Sequence, residues 1–364
     1  MIPITRATLE ELVGLSIEGL ERMRDPATEL LKTRVFMGDG ERRDDHLSRR
    51  YTVMSSLGLA RAVHAGWKTS LDPRRLLEVG WRTFEGDDLD HHAMALWANA
   101  EVEAGLEGEI LPRVLAGVGD DRVLRASIGR EVAWPLLALI RHHEKSGDAR
   151  AAGAARRLFD FVAESLWCAE GRLFYNSTRR GDRIFSLFST QIYLLYATAE
   201  YFNAFGDRRA LEIARAAGGR LVTLRDRLGG WPWRYDSRTG RVIERYPVYS
   251  VHQDSMAPMA YHALAAATGE RFAALHRESL TWLYENELDR QMVDPGRAVI
   301  YRAIRRRRGL RRAFEYAAKG AALLSRGGIA ANVGPAMLEL NASCRPYHLG
   351  WILHAWCPHI DALD

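Results

Sequence analysis

With 364 residues, 47% of them hydrophobic and 27% charged, the chain can bury a large core, and wholesale disorder is excluded. The net charge of +5 traces to one run, Arg302-Ala-Ile-Arg-Arg-Arg-Arg-Gly-Leu-Arg-Arg312, so a nucleic-acid-binding surface spread over the chain is excluded as well. Cys168, Cys344 and Cys357 have no CxxC spacing, which argues against a zinc site or a disulfide frame and for reduced thiols. The start Met1-Ile-Pro-Ile-Thr-Arg6 shows no secretory pattern, and no apolar window is long enough to span a membrane, so a cytoplasmic protein is expected.

Along the chain, six segments share one design: a polar or aromatic cluster, then a run of Ala, Leu and aromatics at helical spacing. They start near Arg50-Tyr51, Asp90-His91, Arg130-Glu131, Ser189-Thr190, His252-Gln253 and Tyr347-His348. Each is apolar nearly all round, as a helix covered on both sides must be. Several end in stop signals, namely Gly147-Asp148, Gly206-Asp207 and Gly269-Glu270. Between them lie helices with one apolar stripe: Leu9 to Met23, Pro73 to Phe84, Ala149 to Trp167, Arg208 to Arg227 and Arg271 to Glu287. Alternating buried and half-exposed helices predict an inner and an outer ring. The expected fold is all-α, an (α/α)6 toroid forming one domain over residues 1–364.

Uneven spacing marks two insertions. Residues 228–249, with Gly229-Gly-Trp-Pro-Trp233 and short alternating runs, predict a β-hairpin. Residues 290–346 carry the arginine run and are expected to contain extra helices. The run itself reads as a solvated helix face or loop, or as a patch for an acidic partner or an anionic membrane surface.

If the inner helices run parallel, their polar starts meet at one mouth of the ring. Asp88, Asp90, His91, Glu131, Tyr249, His252 and Asp254 are then the candidate catalytic residues. Arg50, Tyr51, Arg130, Gln191, Trp231, Trp233, Arg234, Gln253, Tyr347 and His348 are the candidate substrate-binding residues. Each also has a plain structural reading, as a helix cap, a local ion pair or core packing. Phosphate-loop, nucleophile-elbow and zincin motifs are absent from the sequence, and no metal or cofactor is expected.

The hairpin pattern with Gly-Gly-Trp-Pro-Trp in a strand-forming loop resembles the six-hairpin glycosidases, unsaturated glucuronyl hydrolases, (α/α) polysaccharide lyases and N-acylglucosamine epimerases. That resemblance implies a cleft at the inner-helix mouth lined by aromatics and carboxylates. Asp88-Leu-Asp-His-His-Ala93 is also similar to the Asp-x-Asp-Asp-Thr-Ala pattern of class II terpenoid cyclases, with His91 in place of the proton-donating Asp. A cyclase needs an apolar, aromatic chamber. The polar helix starts and the arginines, Arg245 among them, suit an acidic oligosaccharide instead. A hydrolase, lyase or epimerase acting on such a sugar is the expected function, with no nucleic-acid partner. A cyclase and a non-catalytic toroid binding a glycan or lipid are the alternatives. Hydrolysis would need two acids drawn from Asp88, Asp90, Glu131 and Asp254. Elimination or epimerisation would need His252 or His91 as base and Tyr249 or Tyr347 as acid.

Overall fold

The computed structural model describes residues 3–36, 46–307, 320 and 334–364. The outer layer consists of α1 (Arg6–Met23), α3 (Pro73–Arg82), α5 (Glu107–Gly119), α8 (Ala149–Phe161), α10 (Arg208–Thr223) and α12 (Ala273–Thr281). The inner layer consists of α2 (Arg49–His64), α4 (Leu89–Val102), α7 (Gly129–Ser146), α9 (Phe188–Phe205), α11 (Ala257–Thr268) and α13 (Pro346–Trp356), with a short α6 (Asp121–Ala126) between α5 and α7. Around the axis α2 packs on α4, α4 on α7, α7 on α9 and α9 on α11. From α11 the ring passes to α13, which returns to α2 and closes it. The fold is all-α, an (α/α)6 toroid, with small β-hairpins added.

The hairpin turns show how the sequence sets the ring. Gly147 and Gly206 take the left-handed conformation that ends α7 and α9, at φ 70° and 69°. The next residue in each case, Asp148 or Asp207, turns its carboxylate onto the first backbone N–H groups of the outer helix. One Gly-Asp pair thus stops one helix and starts the next. Gly269 ends α11 the same way, at φ 75°.

The axis is a packed core. Below the mouth, Trp97 of α4 meets Trp351 of α13 at 5.7 Å and Tyr196 of α9 at 6.0 Å between ring centroids, and His354 stands edge-on at 5.1 Å. All four are buried, which accounts for part of the tryptophan content. Ring closure depends on two glycines. A Cβ on Gly58 of α2 would stand 1.9 Å from the carbonyl oxygen of Gly350 on α13, so the two backbones touch directly. Gly58→Ala is therefore expected to cost about 2 kcal/mol or more, the range for overpacking a rigid contact. Urea unfolding would check this, and an unchanged midpoint would show that α2 and α13 can part freely.

The strands gather where the inner helices begin. β1 (Val35–Phe36) pairs antiparallel with β12 (Ser343–Cys344), just before α13. β2 (Trp167–Cys168) and β3 (Leu173–Phe174) form a small hairpin. β4 (Ser186–Leu187) runs into α9 and pairs with β5 (Arg234–Asp236), which pairs with β6 (Arg241–Glu244). The hairpin expected within 228–249 is β5–β6. β7 (Val248–Tyr249) leads toward α11 and pairs with β10 (Ala303–Arg306), and β10 pairs with β11 (Leu338–Asn341). β8 (Val293–Asp294) and β9 (Val299–Ile300) form a further hairpin.

The 290–346 insertion is therefore strand-rich in its described part. Residues 308–319 and 321–333 of the insertion lie outside the described residues, and the expectation of extra helices lies outside them to that extent. The first half of the arginine run is not a solvated helix face. It is β10, with Arg305 facing Glu339 across the ladder at 2.8 Å and Arg306 bonded to Glu244. Arg308, Arg311 and Arg312 lie outside the described residues. Among the described residues no helix is long and apolar enough to cross a membrane.

Candidate functional site

Seven of the sequence-selected residues, Trp233 among them, meet at the mouth. Arg50 and Tyr51 start α2, Arg130 starts α7, Tyr249 ends β7 and His252 precedes α11. Tyr347 starts α13. With Trp233, Trp134, Tyr193 and Arg302 they line a cleft of about 200 Å³ at the inner-helix starts.

His252 lies at the base of this cleft in a π-helical turn, His252–Met256, that runs into α11. Such turns are insertions that re-aim side chains and are common at functional sites. Its imidazole is 3% exposed. It stacks parallel to Trp233 at 6.0 Å and leans on Phe188 at 4.5 Å and Tyr249 at 5.0 Å. Neither ring nitrogen has a hydrogen-bond partner among the described residues, and Nδ1 is fully buried. Burial pushes the imidazole down to about 3, with His348 and Arg302 adding to the shift, so the ring is neutral.

Aromatic rings and guanidiniums make the walls. Tyr51 and Tyr347 lie 4.9 Å apart, and Trp134 stands edge-on to Tyr193 at 5.5 Å. Arg302 sits over the Tyr249 ring at 5.3 Å. Arg345, just before α13, donates to the Tyr51 hydroxyl and covers its ring at 5.5 Å. Among the described residues no Asp or Glu lines this cleft.

The acids expected there are placed otherwise. Asp90 is held by Arg50 at 3.0 Å, and burial, with help from Glu131, raises its carboxyl above the usual range. Asp88 reaches Arg50 at 3.7 Å from a largely exposed position. Glu131 accepts from the Ile128 backbone N–H at 3.1 Å and lies 3.6 Å from Arg130, which is helix capping. Asp254 is fully buried, bonded to His348 Nε2 at 2.7 Å and accepting from the Ser255 hydroxyl at 3.0 Å. Burial raises its carboxyl while His348 pulls it back down. His348 is 3% exposed, and neither partner lines the cleft.

Other selected residues turn into the scaffold. His91 stacks on Phe84 at 3.6 Å and, with His92, packs against Trp81 of the outer layer, so both point away from the cleft. Gln191 clamps β3 and β4, accepting from the Phe174 N–H at 2.8 Å and donating to Ser186 Oγ at 2.6 Å. Gln253 accepts from the Trp231 N–H at 3.3 Å and donates to the Tyr249 carbonyl at 3.1 Å. Trp231 is wholly buried, stacked on Tyr261 at 5.8 Å with its indole N–H on Ser279, so it is core packing rather than a sugar platform. Arg245 already pairs with Asp226 at 2.8 Å and Glu287 at 2.6 Å.

Arg234 stands with Trp233 along a second hollow beside the cleft. Arg302 and Arg345 are the positively charged residues of the mouth that sequence reasoning did not select as site residues. Arg345 directly precedes the inner helix starting at Pro346, a position equivalent to those that nominated Arg50 and Arg130. Arg302 was legible only by reading 302–306 as a strand.

No family model and no curated protein matches the chain. Solved structures do match along nearly its whole length. A cellobiose 2-epimerase from Bacillus thermoamylovorans superposes with a TM-score of 0.65 at 11% identity, covering 97% of this chain and 98% of that one. An unsaturated glucuronyl hydrolase specific for heparin gives 0.63 at 12% identity, covering 98% and 96%. A glycosyl hydrolase family 88 protein from Bacteroides vulgatus gives 0.61 at 9% identity, covering 99% and 100%. These structures share the fold of this chain, an (α/α)6 toroid.

Proposed function

We propose that the chain is a carbohydrate-active enzyme that binds an acidic oligosaccharide in the mouth cleft and removes the proton beside a carboxylate. One observation carries the reading: the cleft combines Arg50, Arg130 and Arg302 with flat aromatic walls and a neutral imidazole, and among the described residues no carboxylate lines it and none partners the imidazole. A sugar ring stacks on Trp233 and the tyrosines, and a guanidinium neutralises its carboxylate, which acidifies the adjacent C–H. His252 takes that proton. Pairing Arg302 with the substrate anion removes one of the charges that depress His252, so binding raises its basicity toward the working range. The phenols of Tyr249 and Tyr347 line the same cleft and supply the proton that returns. Donation to the leaving oxygen gives elimination; donation to the opposite face of the carbanion gives epimerisation.

Hydrolysis by paired carboxylates is less well supported, because Asp90 is tied to Arg50 and Asp254 to His348. Cyclisation is disfavoured for a related reason: a carbocation would form beside three guanidiniums, with Asp90 already held in an ion pair.

Incubating the protein with uronate oligosaccharides in heavy water tests the proposal by NMR. Deuterium at the carbon beside the carboxylate, or a new unsaturated uronate, is expected. Free reducing ends with neither change would mean a hydrolase, and no change in any acidic glycan would leave a binding protein. Arg302→Met is expected to raise KM on the active substrate by about tenfold or more, the worth of one charge-assisted contact. An unchanged KM would remove Arg302 from the anion site.

A further inference from the structure

Beside the central cleft runs a hollow of about 360 Å³ that shares Trp233, Tyr249 and Arg302 with it. Arg34, Arg234, Arg302, Arg305, Arg306 and Arg345 line it, and among the described residues Glu244 is its one lining carboxylate. Glu244 is committed to Arg306, and Arg305 to Glu339. Arg302 and Arg345 instead lie over the rings of Tyr249 and Tyr51. Neither has a carboxylate partner among the described residues. Asn341 and Ser343 add neutral hydrogen-bonding groups, and Tyr246 adds a flat ring.

Two physical points bear on what fills this hollow. Guanidiniums packed so closely repel one another, and an anion between them relieves that repulsion. The central cleft alone, at about 200 Å³, is smaller than the roughly 300–1,000 Å³ of ordinary ligand sites. With the hollow added, the site reaches that range and has an arginine-lined extension.

We infer that the hollow is a second subsite of the same cleft and takes an anionic substituent, carboxylate or sulfate, on the sugar next to the one at His252. The substrate class is then an oligosaccharide with acidic groups on successive residues, an inference that rests on the acidic-sugar reading above. The ring at His252 supplies the reacting carboxylate, and the arginine hollow fixes which chain is accepted and in what register.

Calorimetric titration tests this with galacturonic acid, trigalacturonate, a sulfated trisaccharide lacking carboxylates, neutral maltotriose and inorganic diphosphate. Trigalacturonate is expected to bind about tenfold or more tightly than the monomer, as one further charge-assisted contact supplies. That advantage is expected to steepen as salt is lowered. Arg345→Gln, which keeps a donor for Tyr51, should shrink the trimer's advantage, and Arg34→Gln, on the hollow but not on the central cleft, should do so while the monomer's Kd holds. Two variants guard against one of them misfolding. Tighter binding of the sulfated trisaccharide than of trigalacturonate would assign the second subsite to sulfate; the reverse would assign it to carboxylate.

Equal affinities for monomer and trimer in the unaltered protein would overturn the second subsite and leave the acidic-sugar reading standing. Neutral maltotriose binding as well as the acidic trimers would bring down both. Diphosphate binding more tightly than every glycan would overturn the glycan assignment of the hollow.

Discussion

Replacing His252 by phenylalanine is expected to lower kcat by about 10²–10⁴-fold, the usual contribution of a positioned general base, while the protein remains as stable as before or gains stability. The two readouts are coupled by the environment of the ring. His252 is wedged among Phe188, Trp233 and Tyr249 with a fully buried Nδ1 that has no partner among the described residues. A buried polar atom left unpaired costs about 1–3 kcal/mol, so a phenyl ring of similar shape removes a cost rather than a contact. A histidine kept for packing alone would show neither effect on turnover. Activity measured alongside urea unfolding separates the cases. Wild-type turnover in His252→Phe would end its candidacy as the base, and joint loss of stability and activity would make it a structural residue.

The inner ring was readable because a helix covered on both sides has nowhere to put a polar face; α4, α9 and α11 show this directly. The Gly-Asp turns were readable because the left-handed glycine and the capping carboxylate are local chemistry. What polar helix starts do at the mouth is not local. Gln191 and Gln253 sit at the same level as Arg50 and His252, yet they satisfy backbone groups of β3 and of the Trp231 loop. Short strands ending at a ring of helices leave peptide groups that need such partners, and sequence alone does not separate a clamp from a ligand.

Direction was the second obstacle. Successive helical residues point about 100° apart, and the register of α4 turns Asp90 to Arg50 while His91 and His92 turn to the outer layer. The first half of the arginine run was not legible as a strand because the partners of Arg305 and Arg306, Glu339 and Glu244, are brought to it by the β7–β10–β11 sheet.

Stability is expected to fall steeply on acidification, and His276 provides the means of assigning part of the slope. His276 of α12 is 3% exposed, packed against His262 at 4.5 Å and edge-on to Trp356 at 5.5 Å. Burial, aided by His359, pushes it down to about 3 from an ordinary value of 6.5. Below pH 6.5 the unfolded chain therefore binds a proton there that the native state refuses, and stability drops by about 1.4 kcal/mol per pH unit for each such group. The loss ends near pH 3, where the native imidazole also charges. His91, also buried and pushed down to about 3, acts in the same window and the same direction. Buried carboxyls raised by burial, Glu200 and Asp254 among them, act oppositely, because the native state takes up their protons first. The total slope mixes both signs, so the comparison is between variants. His276→Phe keeps an aromatic ring against Trp356 and removes one titrating group. Its unfolding free energy between pH 6.5 and 4 should fall less steeply than that of the unaltered protein, by about 1.4 kcal/mol per pH unit. Parallel curves would mean that His276 is protonated in the native state and that the histidine cluster opens to solvent before the toroid unfolds.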